Sequence, residues 1–512
     1  MKAVFSKLKI LGFAILGLLV MLFIVIRMWQ AEWKPQGKTS LAFTQISLPF
    51  SHQYQRKLSL PFVGSSAFDM DGDGIDEIFL GGGRGQADQI FKFTDGKFVK
   101  MDIAFPQIQA GATHGAAHLD VDKDGDTDLF TVGESGVWLH LNTGHNTFES
   151  RRLEFGMAEN TTPLSVALGD VNKDGWVDLY ISGYIKNELV EGQTIFTKPY
   201  GGYSYLLLNA GDNTWHDVSK EAGVWRQHNT FTAVFADLDN DLDSDLIIAQ
   251  DTGVIEMYEN TGTFPMKPIP SPTVSSYPMG LAVGDYDNDG LVDIYASNVG
   301  HTLPAKMLRG DLAKDAPFNT DYILLHNEGG LKFTDTAREA EIARLGFGWG
   351  TVFTDLNLDG YADILTAQNY VKLPLNAVMT TYNGKILQNT SSGTFEPVEK
   401  TSGATDKAFG ITPLISDFNQ DGWPDIIWVN IDGPAKAYLS VPPKNAPTPD
   451  PLKLPDTVRS LNALVSIQVG ENTVLHRQII ATQGLGSDQS RTLFLPASDG
   501  SPQIQYQTVE PK

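Results

Sequence analysis

Three regularities predict an all-β chain, a seven-bladed β-propeller with calcium-binding loops and a small C-terminal β module. A nine-residue acidic loop occurs seven times, an apolar strand follows each copy, and an aromatic-bearing strand precedes the next copy at a nearly constant distance. Repetition on this scale signals a propeller or solenoid.

The acidic loop is clearest from Asp285 to Asp293, which reads D-Y-D-N-D-G-L-V-D. Carboxylates at positions 1, 3, 5 and 9 of a tight loop suit a hard cation that takes several oxygens, calcium before magnesium. Glycine at position 6 permits the left-handed turn that keeps those oxygens inward. The other loops present Asp69, Asp71, Asp73 and Glu77; Asp120, Asp122, Asp124 and Asp128; and Asp170, Asn172, Asp174 and Asp178. Then come Asp237, Asp239, Asp241 and Asp245; Asp285, Asp287, Asp289 and Asp293; Asp355, Asn357, Asp359 and Asp363; and Asp417, Asn419, Asp421 and Asp425. The fourth loop has Leu242 at position 6 and is expected to be the weakest site.

An EF-hand is excluded because position 12, which must be a bidentate acid, is Leu80, Thr131, Ile181, Ile248, Ala296, Thr366 or Trp428. The residues behind each loop are strand-like, as in Asp178-Leu179-Tyr180-Ile181. The segments before the loops are rich in glycine and other small residues, suited to inner strands crowded around a narrow axis. From the outer-strand aromatics Phe98, Phe148, Trp215, Phe264, Phe333 and Phe395 to the next loop is 22 residues in five cases and 21 after Phe264. Each repeat therefore reads as four strands. The seventh lacks its outer strand, while 42–46 near the N-terminus is unassigned, so this segment is expected to complete the last blade and remove its free edge.

The net charge of -23 over 512 residues follows largely from the loops. Up to seven structural calcium ions would bring it to -9. No basic stripe offsets the acidity, which argues against nucleic acid. There is no cysteine, so metal takes the place of disulfides as a stabiliser in an exported chain. Lys2, Lys7 and Lys9 precede an apolar run over 10–26, about the shortest length that spans a bilayer. With no small-x-small site after it, the run is read as an uncleaved single-pass anchor ahead of the alternative, a cleaved signal peptide, with 1–9 inside, a connector over 27–40 and the bulk extracytoplasmic, periplasmic or at the cell surface. The propeller is assigned to 41–440. A linker over 441–456 with six prolines and a β module over 457–512 follow.

Loops of the form D-x-[DN]-x-D-G-x-x-D on a propeller resemble the FG-GAP/VCBS repeats of the integrin α head. Leu208-Asn209 and Thr214-Trp215-His216-Asp217-Val218 narrow the resemblance to the cartilage-acidic-protein and ASPIC/UnbV group, and 462–495 resembles the ASPIC/UnbV domain, with Pro496-Ala497-Ser498 in place of the Gly-Leu-Gly that the resemblance implies after Leu495.

Loop start to outer aromatic takes 27–29 residues in repeats one, two and four, but 45, 48 and 40 in repeats three, five and six. The extra residues fall near 183–203, 298–321 and 370–385, between second and third strands and opposite the metal loops. Binding residues concentrate on such loops, and the integrin resemblance implies ligand binding on that face. Tyr200, Tyr203, Tyr205, His301, Lys306, Arg309, Tyr370 and Lys372 are the candidate contacts. His114 and His118 read as buried structural residues, and no catalytic motif is present. The leading reading is a membrane-anchored recognition, adhesion or scaffold module for a protein or glycan. The rivals are a propeller enzyme acting on carbohydrate, of lyase or dehydratase type, and a cell-envelope assembly or export factor.

Overall fold

A burial constraint sets where the strands start. The acid at position 9 of each loop must face back into the loop, while the apolar residues after it enter both neighbouring cores, so it becomes the first residue of a strand. Glu77, Asp128, Asp178, Asp245, Asp293, Asp363 and Asp425 each occupy that place. The computed structural model describes residues 12–13, 15–22, 34–103, 111–191, 194–302, 305–369, 381–444, 446, 448–469, 473–496 and 503–508. Tyr370, Lys372 and part of the predicted anchor lie outside these residues.

Seven sheets follow in chain order among the described residues, antiparallel except that Ser487–Asp488 adds a fifth, parallel strand beside Ser65–Phe68 of the first. Sheet I is built from Ser65–Phe68, Glu77–Leu80, Gln89–Thr94 and Lys97–Lys100. Sheet II uses Thr113–Leu119, Asp128–Gly133, Gly136–Asn142 and Phe148–Arg152; sheet III uses Thr161–Gly169, Asp178–Ile185, Tyr205–Asn209 and Trp215–Asp217. Sheet IV comprises Thr230–Ala236, Asp245–Gln250, Ile255–Glu259 and Lys267–Ile269. Sheet V comprises Leu281–Gly284, Asp293–Ala296, Ile323–Asn327 and Phe333–Asp335. Sheet VI has Gly348–Thr354, Asp363–Gln368, Lys385–Asn389 and Phe395–Pro397. Sheet VII has Phe409–Ser416, Asp425–Ile431 and Lys436–Ser440, and is completed by Phe43–Ile46. Phe43 lies opposite Ser440 and Ile46 opposite Ala437, the closure expected from the sequence.

The first strands of successive sheets touch in cyclic order, and that of sheet VII returns to sheet I, an arrangement consistent with a β-propeller. Each seam between sheets has an apolar core. Ala117 and Phe130 of sheet II pack with Val166, Leu179 and Leu207 of sheet III. Small inner-strand residues are required by close approach: a Cβ on Gly115 would lie 2.5 Å from the Leu164 carbonyl of the next sheet. His114 and His118 are fully buried.

The axis is blocked at both ends. Away from the metal loops, Phe62 packs on Phe231, Trp349 and the His114 ring, and Trp349 on Phe409, with centroids 5.5–6.1 Å apart. At the loop end the plug is the C-terminal segment. The Gly486 carbonyl accepts from Ser65 N and Ala116 N, while Gly484 exchanges two backbone hydrogen bonds with Leu281. Ser487 Oγ meets Thr412 Oγ1 at 3.0 Å. Leu485, 1% exposed, joins the axial core. Gly486 has φ +61, and a Cβ there would stand 2.3 Å from the His114 carbonyl.

The C-terminal residues therefore do not stand apart behind a linker. Leu452–Lys453, within the proline-rich stretch, pairs with Thr492–Leu493. A three-stranded sheet of Leu464–Val469, Thr473–Gln478 and Gln503–Gln507 lies beside it. Near the N-terminus, residues 12–13 and 15–22 are helical. No helix among the described residues is long and apolar enough to cross a membrane.

Candidate metal centres and the insertion face

The seven loops share one backbone geometry. The position-1 carboxylate accepts from the position-6 N–H at 2.7–3.3 Å. The position-5 carboxylate accepts from the position-7 N–H at 2.8–3.0 Å. The position-9 acid accepts from the position-2 N–H at 2.8–3.2 Å. Position 6 is left-handed throughout, including Leu242 at φ +64, which retains the turn without glycine. Position 4 is left-handed too, a feature the glycine pattern did not reveal, and it is filled by Gly72, Lys123, Lys173, Asn240, Asn288, Leu358 and Gln420.

These residues link loop to loop. Asn240 donates to the Gly290 carbonyl at 3.1 Å and Asn288 to that of Gly360 at 3.0 Å. Lys123 Nζ sits 3.4 Å from the Trp176 ring centroid, and Lys173 pairs with Asp243. A second set of links comes from the third strands. The side-chain amides of Asn142, Asn260, Asn327 and Asn389 donate to the position-2 carbonyl in the loop of the preceding sheet, at 2.8–2.9 Å.

The donor set fits a cation in several loops. The position-9 acids are at most 1% exposed. Burial pushes the carboxyls of Asp128 and Asp245 up to about 8 and that of Asp293 to about 7, because a charge without solvent is costly. Ligand atoms of Asp120, Asp122 and Asp128 lie within 4.8 Å of one another, as do those of Asp237, Asp239 and Asp245, and of Asp285, Asp287 and Asp289. Buried oxygens of Asp120, Asp239 and Asp287 have no hydrogen-bond partner. The fourth loop, expected to be weakest, thus keeps the arrangement of its neighbours. In loops three, six and seven, Asn172, Asn357 and Asn419 stand at position 3 and donate to Asp174, Asp359 and Asp421 at 2.8–3.0 Å.

Two loops have cationic side chains beside their acids, which sequence spacing did not disclose. Lys92 enters loop one, and His326 Nδ1 lies 3.4 Å from Asp287 and 3.3 Å from Asp293 in loop five. The C-terminal residues lie across the same end. Arg477 donates to Asn288 Oδ1 at 2.9 Å, Gln478 Nε2 to the Asp237 carbonyl at 3.1 Å, and Thr127 Oγ1 to Asp456 at 3.1 Å.

On the opposite face the insertions of sheets III and V interlock above sheet IV. Asp311 accepts from Phe196 N at 2.6 Å and from Thr197 Oγ1 at 2.7 Å, and Phe196 packs on Tyr277 and Phe318. Beneath them is a cavity of about 210 Å³ lined by Tyr184, Tyr200, Tyr277 and Asp251 among others. Tyr184 donates to Asp251, whose carboxyl is pushed up to about 6 by burial.

The predicted contacts divide accordingly. Tyr200 lines the cavity, and its hydroxyl accepts from Glu191 N at 2.7 Å. Tyr203 stacks on Trp225 with centroids 4.8 Å apart. Lys306 is exposed on the short helix Ala305–Leu308, and His301 lies in the turn Gly300–Thr302. Arg309 is folded onto the Ala316 carbonyl at 2.6 Å and over the Phe318 ring. Tyr205 must be removed from the candidate surface: it is 3% exposed, its hydroxyl accepts from Ala158 N, and its ring packs against Phe155.

A family profile described as an FG-GAP-like repeat matches residues 120–181 and 237–296, which contain loops two to five. Mouse cartilage acidic protein 1 is 21% identical over 379 residues, covering 71% of this chain and 46% of its own length. Rat integrin alpha-7 is 32% identical over 99 residues, 18% of this chain and 8% of its own. Among solved structures, an Agrocybe aegerita lectin described as recognising non-reducing terminal N-acetylglucosamine aligns with TM-score 0.41 and 18% identity, covering 68% of this chain and 84% of that one. The chain carries FG-GAP-like repeats and is homologous, at low identity, to cartilage acidic protein 1 and integrin alpha-7. It spans about half the length of that first relative.

Proposed function

We propose that this chain is a seven-bladed, calcium-stabilised β-propeller, held at a membrane by its N-terminal segment with its bulk extracytoplasmic, that recognises a protein or glycan through the insertion face. The observation that carries this reading is the blocking of the axis at both ends. Aromatic side chains around Phe62 and Trp349 close one end, and the segment around Gly486 closes the other. The C-terminal residues also cover much of the metal-loop end, which leaves the insertions as the built surface. Their interlock through Asp311 holds that surface in one shape before a partner arrives, which lowers the entropy lost on binding.

Calcium serves the scaffold in this reading: it compensates the buried acids and does no chemistry on a substrate. The anchor is supported by the basic residues before the apolar run and by the outward apolar side chains of the N-terminal helical residues, such as Phe13 at 74% and Leu18 at 70% exposed.

The full chain, purified from membranes in detergent, is to be screened against a glycan array and against envelope proteins from its own host. Tyr200→Ala and Lys306→Glu are expected to lower binding at least tenfold, while Lys453→Ala at the loop end leaves it unchanged. Binding that survives both insertion-face substitutions would overturn the assignment of the face. Excess chelator is expected to lower the melting temperature, and an unchanged melt would remove calcium from the reading.

A further inference from the structure

In sheets I and V one side chain on the third strand faces the acids of that sheet's own loop. In sheet V this residue is His326, one place beyond Leu325, which pairs with Ile294. The same register in the other sheets selects Lys92, beyond Phe91 opposite Ile78; Leu141, beyond His140 opposite Leu129; and Glu259, beyond Tyr258 opposite Leu246. Sheets III, VI and VII place Leu208, Gln388 and Leu439 there. Only sheet I has a lysine at this position.

Lys92 Nζ lies 2.6 Å from Asp71, 2.7 Å from Asp73 and 3.0 Å from Glu77, the acids at positions 3, 5 and 9 of loop one. An ammonium has three donors, and three separate carboxylates lie within ion-pair distance of this one. The remaining acid, Asp69, has Lys453 Nζ at 3.4 Å, which also pairs with Asp76 at 2.6 Å. Two ammonium charges thus stand among the loop acids, the same charge a divalent cation would bring. A metal in this loop would have to displace Lys92 from three carboxylates and hold its charge close by. The ligand atoms of Asp69, Asp71 and Glu77 lie within 4.8 Å of one another, as in loops two and four, but in loop one alone of these three an ammonium is already paired with the acids.

We propose that Lys92, assisted by Lys453, is the built-in cation of loop one, so that this loop folds without metal and the protein takes at most six calcium ions. Loop one joins the first sheet to the closing seam with sheet VII, where Ser416 Oγ donates to the buried Asp76. An internal cation would keep that seam formed when calcium is scarce.

The inference rests on the calcium reading above, and the two fail separately. Calcium per chain is to be measured by equilibrium dialysis and elemental analysis on the full-length protein. Asp71→Asn is expected to leave the count unchanged, whereas Asp122→Asn in loop two lowers it by one. Lys92→Gln is expected to raise it by one, and Lys92→Gln with Asp71→Asn to return it to the starting value. A loss of one ion in Asp71→Asn, or no gain in a folded Lys92→Gln protein, overturns the proposal. Should Lys92→Gln not fold, terbium soaked into crystals of the unaltered protein decides. Anomalous density in loop two but not loop one supports the built-in cation, and density in loop one overturns it. An unchanged count in Asp122→Asn would count against the calcium reading and, with it, this one.

Discussion

The side-chain amide of Asn327 donates to the backbone carbonyl of Leu238 at 2.9 Å, tying the third strand of sheet V to the acidic loop of sheet IV. The same nitrogen reaches the Val292 carbonyl at 3.1 Å, and Asn327 Oδ1 accepts from Gly329 N at 3.0 Å. Its backbone N–H donates to Asp293. One buried residue thus joins two loops, its own strand and a turn.

Removing that amide leaves buried carbonyls without donors, at a cost of about 1–3 kcal/mol. Asn327→Ala is expected to shift the denaturation midpoint accordingly. Asn327→Asp, which keeps an acceptor but loses both donors, is expected to be no better. Chemical denaturation at fixed calcium reads both, and an unshifted midpoint in the alanine variant would remove the inter-sheet link from the account of stability.

The plug depends on a buried ionic cluster. Arg491 pairs with Asp488 at 2.7 and 2.9 Å, Asp488 meets His118 Nδ1 at 3.1 Å, and His118 Nε2 faces Asp456 at 3.3 Å. Arg491→Ala would leave the buried Asp488 without its guanidinium and is expected to cost roughly 3–5 kcal/mol. Hydrogen exchange should then quicken first over 481–491; exchange as slow as in the unaltered protein would show the plug held by other contacts.

The same cluster sets a pH dependence. Burial pushes the Asp488 carboxyl up, but Arg491 and His118 outweigh it and hold it at about 2, below its ordinary value of 3.8. A depressed carboxyl adds stability that is present above its unfolded value and lost as pH falls through the folded one. Its contribution should therefore be intact at pH 5 and fade between about pH 4 and 2. In Asp488→Asn this part of the acid destabilisation should be absent when melts are compared across that range.

Leu242 holds a left-handed turn that costs an L side chain about 1–2 kcal/mol. Glycine relieves this but loses about 0.5–1 kcal/mol of chain entropy. Leu242→Gly is expected to raise stability by about 0.5–1 kcal/mol and to tighten calcium binding. A destabilised variant would show that the leucine side chain contributes more packing than the turn costs.

Sheet VII takes its outer strand from the N-terminal segment. A chain beginning at residue 50 would expose the edge formed by Lys436–Ser440. It is expected to associate in a concentration-dependent way, and a peptide of residues 41–47 should suppress this. Equal behaviour of the full and shortened chains in size-exclusion runs would mean that the edge is protected otherwise.

Much of this was legible in the residue order because its determinants are local. The spacing of acids within nine residues, the glycine at position 6 and the apolar residues after position 9 all act within one loop and strand. The closing strand was legible because the seventh repeat lacked a partner that 42–46 could supply. Tyr205 misled for a related reason: a tyrosine beside an insertion looks available until the strand pairing turns it inward against Phe155.

The sequence by itself determined the seven loops, the strand behind each and the segment that completes the last sheet, since short-range chemistry and periodicity dictate them. Only the tertiary structure decided that Lys92 reaches acids 21 residues away and that Asp488 meets the His118 backbone across 370 residues. Those contacts depend on strand register and on the order in which sheets close around the axis. No single stretch of chain contains that geometry.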